Sequence, residues 1–318
     1  MIGHLASAVG APCPTLVLDA ALLPADECRL RPALAAIRGQ LGGQVLKFAL
    51  ISPSAAAGGD LDYRFVQGLP GRAERFDFGA ACGHSGLAAA LVAERLGWVR
   101  ELRRPGAAVR LHGRGGALVV EAADPGEYTL HYEPEAAAEP LPTGRASEAL
   151  RTASGEVRAS LVAFGNPYAF VAAADLGLRS GAELFAADAR TAARLAPIRA
   201  AAAARLGHPA DGALPKLALI GAVEPAGLPV RALTVTGWHP GLALTGAGCL
   251  AAALTLPGTL PHRLADGAAP LLFTPAGPVT AIAVRQAGRL TRVTVPHKRA
   301  RLLGRVALAW RGPVASAA

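Results

Sequence analysis

Two residues carry chemistry in their type and context. Cys82 precedes Gly83 and stands where an Ala-rich helix should begin. A thiol there meets unpaired N–H groups and the positive end of the helix dipole, which favour thiolate. The alternative is a small buried hydrophobe. Lys47 interrupts the apolar run 45–51. Strand alternation puts it on one face with Val45, Ala49 and Ile51, and Leu46, Phe48 and Leu50 on the other. A desolvated lysine can act as a general base; the alternative is an edge lysine reaching solvent. Asn166, between Gly165 and Pro167, reads as a turn residue or a ligand-binding amide. His84 and His239 could act as bases or simply pack.

Cys249, inside a second small-residue helix, reads as core packing, and Cys13 and Cys28 as structural. No C-x-x-C and no Cys/His cluster occurs, which argues against a metal site and a disulfide scaffold and for a reducing, cytoplasmic setting. There is no P-loop, no G-x-G-x-x-G after a strand and no G-x-S-x-G. Residues 1–14 lack the pattern of a signal peptide. The most apolar stretch, 241–256, is short and contains Gly, so no membrane span is expected.

Composition sharpens these candidates. Of 32 basic residues only Lys47, Lys216 and Lys298 are Lys, and Asn166 is the sole Asn. This resembles a GC-rich genome signature, against which a surviving Lys or Asn stands out. Arg cannot replace a deprotonatable amine. The net charge is +9, but the Arg are scattered and aromatics make up only 5%, so nucleic acid is not an expected partner.

The elements that must position these residues alternate between strands and a few helices. Strands are expected at 15–18, 45–51, 63–67, 108–111, 117–121 and 127–132, then at 160–164, 168–172, 216–221, 230–234, 271–273, 279–285 and 290–295. Helices are expected at 30–41, 86–96, 182–206 (with Pro197 near the middle) and 249–254. Each half thus combines strand runs with an Ala-rich helix, which suggests two similar α+β domains. The stretch 133–155 is the boundary candidate, giving domains at 1–155 and 156–299, with 300–318 able to return to the first. An internal echo fits: 81–91 reads ACGHSGLAAAL and 244–254 reads LTGAGCLAAAL, so Gly83 meets Gly246 and Cys82 faces Thr245.

Together these residues resemble the PrpF-like isomerases, relatives of diaminopimelate epimerase and the PhzF proteins. The matching pieces are Leu46-Lys47-Phe48-Ala49, Asp62-Tyr63-Arg64-Phe65-Val66-Gln67, Cys82-Gly83, Gly165-Asn166-Pro167, Asp175-Leu176-Gly177-Leu178 and Leu242-Ala243-Leu244-Thr245-Gly246-Ala247. The resemblance implies two pseudo-symmetric domains, each a barrel-like β-rich sheet around a central helix, with the active site in the cleft where the helix N-termini converge. It implies a cofactor-independent isomerase, either a methylaconitate- or methylitaconate-type isomerase or an oxalomesaconate-type tautomerase. Such an enzyme moves a proton along the allylic system of an unsaturated carboxylate. The family's catalytic Lys and Cys fall on Lys47 and Cys82. Ser52, Gly83, His84, Ser85, Asn166, His239, Thr245, Gly246, Ala247 and Gly277 are the expected substrate-binding positions. The small molecule is the only partner implied, with a monomer or homodimer.

The chain also departs from the family. An Arg-Gly-Gly-Thr-Ser-Lys segment is replaced by Gly10-Ala11-Pro12-Cys13-Pro14-Thr15. Cys-Gly-Asn becomes Cys82-Gly83-His84, and His-Arg becomes His239-Pro240. A Gly-His-Pro-Ser-Gly turn becomes Phe273-Thr274-Pro275-Ala276-Gly277. Groups suited to carboxylates are thereby lost, so a substrate with fewer carboxylates is expected. Thr245 opposite Cys82 disfavours a two-thiol racemase. An epimerase using another second base, such as His239, and a non-catalytic anion- or partner-binding protein are the alternatives. The oxyanion is expected at the N–H groups of 83–85 and 246–248.

Overall fold

Two helices built almost wholly of small and apolar residues organise the chain. A helix apolar on every side has no face to give to water and must be enclosed. The first, Gly83–Arg95, is buried at every position from Gly83 to Ala93. The second, Leu244–Leu254, is buried throughout. In the computed structural model, which describes residues 1–134, 140–268, 271–287 and 289–310, each helix packs against a mixed sheet in its own compact unit.

The first unit comprises Met1–Leu130 together with residues 297–310. Its strands run in the order Glu127–Pro134, Gly116–Asp124, Ala108–Gly113, Leu61–Gly68, Lys47–Pro53, Thr15–Asp19, Ile2–Ala8 and Ala300–Ala307. Thr15–Asp19 is parallel to Lys47–Pro53, with Leu16 opposite Phe48. Ala300–Ala307 at one end of this order and Gly116–Asp124, next to the other end, both contact the central helix. The sheet's other face carries the helix Glu27–Gln40, whose Leu30, Leu34 and Ile37 share a core with Leu16, Leu18, Phe48 and Leu50. The pleat then turns Thr15, Val17, Lys47, Ala49 and Ile51 toward the central helix.

The second unit, His131–Pro296, repeats the plan. Its strands run Gly277–Val279, Leu272–Thr274, Leu228–Thr234, Lys216–Ile220, Asn166–Ala172, Gly155–Phe164 and Glu148–Thr152. The helix Leu244–Leu254 packs against Gly155–Phe164 and Asn166–Ala172. On the other face, Leu195, Ile198 and Ala202 pack against Leu161, Val171, Leu217 and Leu219. The α+β class expected from the sequence is the class observed.

Several elements differ from expectation. The single helix over 182–206 is three: Gly181–Ala186, Ala189–Arg194 and Ala196–Arg205. Asp188 starts the second by accepting a hydrogen bond from Thr191 N, and Pro197 sits in the first turn of the third, where it costs no hydrogen bond. The strands Ile2–Ala8 and Ala300–Ala307 were not foreseen; they pair with each other, Ile2 opposite Ala307. The units divide between Leu130 and His131, and between Pro296 and His297, rather than at 155 and 299. Part of the 133–155 stretch belongs to the second unit's sheet, because Glu148–Thr152 forms a hairpin with Gly155–Phe164. Residues 135–139 of that stretch, and 311–318 of the C-terminal segment, lie outside the described residues. Also among the described residues, no helix is long and apolar enough to cross a membrane.

The second helix begins at Leu244, five residues before the expected 249. Gly246 and Gly248 lower the helix propensity of this segment, yet Gly246 is needed inside the helix. A Cβ there would lie 2.6 Å from Tyr168 Oη and 2.9 Å from Cζ. Tyr168 cannot easily yield, being 1% exposed and stacked on Phe170. Gly to Ala inside a helix ordinarily gains about 1 kcal/mol. Here Gly246→Ala should instead lose about 1–3 kcal/mol through overpacking, read as a lower urea midpoint at unchanged slope.

Candidate active site

Cys82 is the N-cap of the first central helix, with extended backbone and no side-chain cap bond. Its carbonyl accepts from Gly86 N at 2.9 Å and from Tyr63 Oη at 2.9 Å. The second bond fixes the helix start to the strand Leu61–Gly68. The thiol is half-buried.

Lys47 is the first residue of its strand and only 5% exposed. Its side chain is therefore enclosed and does not reach out to solvent as an edge lysine would. One bond connects its surroundings to Cys82. Thr15 Oγ1 and Ser85 Oγ lie 2.9 Å apart and are both buried. Thr15 precedes the Leu16–Phe48 pair, so it stands beside Lys47 in the parallel register. Ser85 is in the first turn of the helix that Cys82 caps. The start of the Lys47 strand is thus held against the N-terminus of the helix. His84, 3% exposed, lies in the same turn, and a Cβ on Gly10 would come 4.0 Å from its Nε2. The structure therefore assembles Lys47, Cys82, Gly83, His84 and Ser85.

Ser52 is not part of this assembly. It lies five residues beyond Lys47, about 16 Å along an extended chain and on the opposite face.

Cys13, read as structural, is half-buried and lies two residues ahead of Thr15. Burial pushes its thiol up from the ordinary value and outweighs the opposing effect of Lys47.

In the second unit, Asn166 is 2% exposed and its Nδ2 donates to Thr245 Oγ1 at 3.2 Å. Gly165 makes the preceding turn at φ +76. Gly241 N donates to His239 Nδ1 at 3.1 Å, which in the neutral ring leaves the proton on Nε2. Gly277 is a hairpin residue at φ +105 whose carbonyl accepts from Thr274 Oγ1. Ala247 N is spent on Ala243 O, so the N–H groups of 247 and 248 belong to the helix ladder. The positions without an intrahelical acceptor shift from the expected 246–248 to 244–246. The same early start places Ala243, not Thr245, at the N-cap equivalent to Cys82.

Cys249 is fully buried and donates to Val162 O at 3.1 Å. Burial pushes its thiol up to about 12. Its packing role stands. Among the described residues no cluster of His, Cys, Asp and Glu could hold a metal ion.

Solved structures share this fold. A methylitaconate-delta-isomerase superposes with a TM-score of 0.67 at 21% identity, covering 99% of both chains. A hydroxyproline epimerase from Agrobacterium vitis gives 0.62 at 17%, over 98% of this chain and 96% of that one. A PhzF-family protein from Bacillus anthracis gives 0.57 at 10%, over 96% and 98%. A Bacillus subtilis protein named "Putative isomerase YraM" is 33% identical over 148 residues; the match spans 39% of this chain and 40% of that protein. The fold class is therefore the one shared by these isomerases and epimerases. Residues 119–303 match the model of the PrpF protein family, more than half of the chain, and the chain belongs to that family.

Two outcomes check this geometry. Thr15→Val leaves buried Ser85 without its partner and should cost about 1–3 kcal/mol; adding Ser85→Ala should recover part of the loss, since removing both polar partners is nearly neutral. Urea unfolding of the single and double variants measures both. For thiol reactivity, a group titrating near 12 is about 10⁻⁴ thiolate at pH 8. Iodoacetamide on the native protein should therefore label exposed Cys28 and leave Cys249 unmodified until denaturant is added.

Proposed function

We propose that this protein is a cofactor-independent isomerase that moves a proton between the two ends of an allylic system in an unsaturated carboxylic acid. The observation that carries the reading is the buried Lys47 amine, tied by the Thr15–Ser85 bond to the helix start at Cys82. A carbon acid conjugated to a carboxylate is acidified by its own substituent. It then needs a base at one carbon, an acid at the carbon two bonds away, and donors for the transient dienolate. Lys47 takes the first proton and Cys82 returns one at the far end. The N–H groups of Gly83–Ser85, at the positive end of the helix, are suited to the developing negative charge. Family membership and the fold shared with a methylitaconate-delta-isomerase support isomerase chemistry.

The substrate we propose carries fewer carboxylates than a tricarboxylic acid. Arg is absent from residues 10–15 and from the position after His239. Asn166 and Thr245, buried and hydrogen-bonded to each other, are the second unit's proposed substrate-binding pair.

An epimerase is the second reading, favoured by the fold shared with a hydroxyproline epimerase. It needs a second base equivalent to Cys82. The second central helix begins Ala243-Leu244-Thr245 and has no thiol in its first turn, and His239 already spends Nδ1 on Gly241.

Exchange of solvent deuterium into a panel of unsaturated mono- and dicarboxylates, followed by NMR, tests the proposal. Label should enter at the two ends of an allyl system as the double bond moves. Lys47→Ala and Cys82→Ser should each slow exchange by about 10²–10⁴. Wild-type rates in either variant, or inversion at a stereocentre without double-bond movement, would refute the assignment.

A further inference from the structure

Gln67 is only 7% exposed, yet it serves neither the apolar core nor the proton shift. Where Lys47–Pro53 pairs with Leu61–Gly68, it stands directly opposite Lys47. Gly68 N donates to Leu46 O at 2.9 Å, so residues 46 and 68 form a hydrogen-bonded pair. The next pair in an antiparallel ladder is the narrow kind, with Cα atoms about 4.5 Å apart and both side chains on one face. Lys47 and Gln67 are that pair.

The Gln67 amide is fixed in one orientation. Its Nε2 donates to Leu46 O at 2.8 Å and to Gly68 O at 3.0 Å, which uses both amide hydrogens. Carbonyl oxygens only accept, so a flipped amide would set oxygen against two oxygens. Oε1 is left as an acceptor on the face that carries Lys47. Among the described residues the Lys47 amine has no hydrogen-bond or ion-pair partner. Asp77 continues the row on the next strand, opposite Gln67 and about 10 Å from Lys47 at the backbone. Its Oδ1 accepts from Gly79 N and Ala80 N. Gln67 therefore stands between the amine and that carboxylate.

We propose that Gln67 is the positioning residue of the base: its Oε1 accepts a hydrogen bond from Lys47 Nζ and holds the ammonium that proton abstraction creates. This inference rests on the isomerase reading. In that step a proton passes from the substrate carbon to Nζ, and the C–H electron pair stays on the substrate as the dienolate. No bond to Gln67 other than the hydrogen bond is made or broken. The new charge arises on a side chain only 5% exposed, where an ammonium without acceptors is costly. The amide oxygen meets that need. It also restrains a flexible side chain, which keeps the amine aimed at one carbon.

The experiment compares the full wild-type chain with Gln67→Met, which keeps the side-chain length and removes the acceptor, with Lys47→Ala, and with both together. Deuterium exchange into an acid turned over in the panel is the first readout. Gln67→Met should lower kcat by about 10–100-fold, the worth of a hydrogen bond to a charged group, at nearly unchanged KM. In the Lys47→Ala background the same substitution should have no further effect, since Gln67 acts through Lys47. Losses that multiply, as a merely structural role predicts, would overturn the proposal. The second readout needs no substrate. The chain holds three lysines, so labelling lysine Cε with ¹³C gives three NMR signals, and the one absent from Lys47→Ala is Lys47. Gln67→Met should move that signal and leave Lys216 and Lys298 in place, with the melting transition showing that the variant is folded. The reciprocal measurement leaves Gln67 intact: Lys47→Ala should move its side-chain amide signal and not those of Gln40, Gln44 and Gln286. Signals that stay in place in both directions would sink the contact and the proposal with it. Shifts in both directions in a protein inert toward every unsaturated acid would uphold the contact and refute the isomerase reading alone.

Discussion

Enclosure of an apolar helix is the constraint from which the rest follows. The segment from Gly83 to Ala93 has nothing to offer water on any side. A flat sheet covers one side of a helix; covering more requires strands that curl around it. The first unit therefore needs its full run of strands, and it borrows the last of them from the far end of the chain: Ala300–Ala307 pairs with Ile2–Ala8 and also contacts the helix. Enclosure leaves only the ends of the helix available for polar work. The N-terminal end brings unpaired amides, and in this chain it brings Cys82.

Small residues make the close packing possible. Gly86 has Leu118 in the space its Cβ would take, and Gly246 has Tyr168 there. In each central helix, glycine costs helix propensity and gains proximity to the sheet. Polar groups at the helix starts are held by specific bonds to the surrounding strands. Thr15 holds Ser85, Tyr63 holds the Cys82 carbonyl, and Asn166 holds Thr245. In a buried setting each such bond is costly to break on one side only. Position at the site is thereby set by hydrogen bonds, while the apolar helix bodies supply the driving force.

Much of this was legible in residue order. Alternation in 45–51 assigns Lys47 and Phe48 to opposite faces, and Phe48 lies in the core shared with Leu30 and Leu34. Helix starts were harder. Gly246 has low helix propensity but is a packing position, so the second helix begins five residues before the expected 249 and its free amides shift by two. The first and last strands were invisible because each is satisfied only by the other, across nearly the whole chain.

By itself the sequence determined the α+β class, the two-part plan, the family resemblance, and which lysine, cysteine and asparagine were worth following. These depend on residue type and short-range period, and both are written locally. Only the tertiary structure decided that Lys47 is buried rather than solvated. It alone placed Thr15 between the Lys47 strand and the Cys82 helix and paired Asn166 with Thr245. Those outcomes depend on how strands far apart in sequence wrap one helix. Such wrapping is governed by non-local packing and by buried hydrogen bonds whose partners lie tens of residues apart.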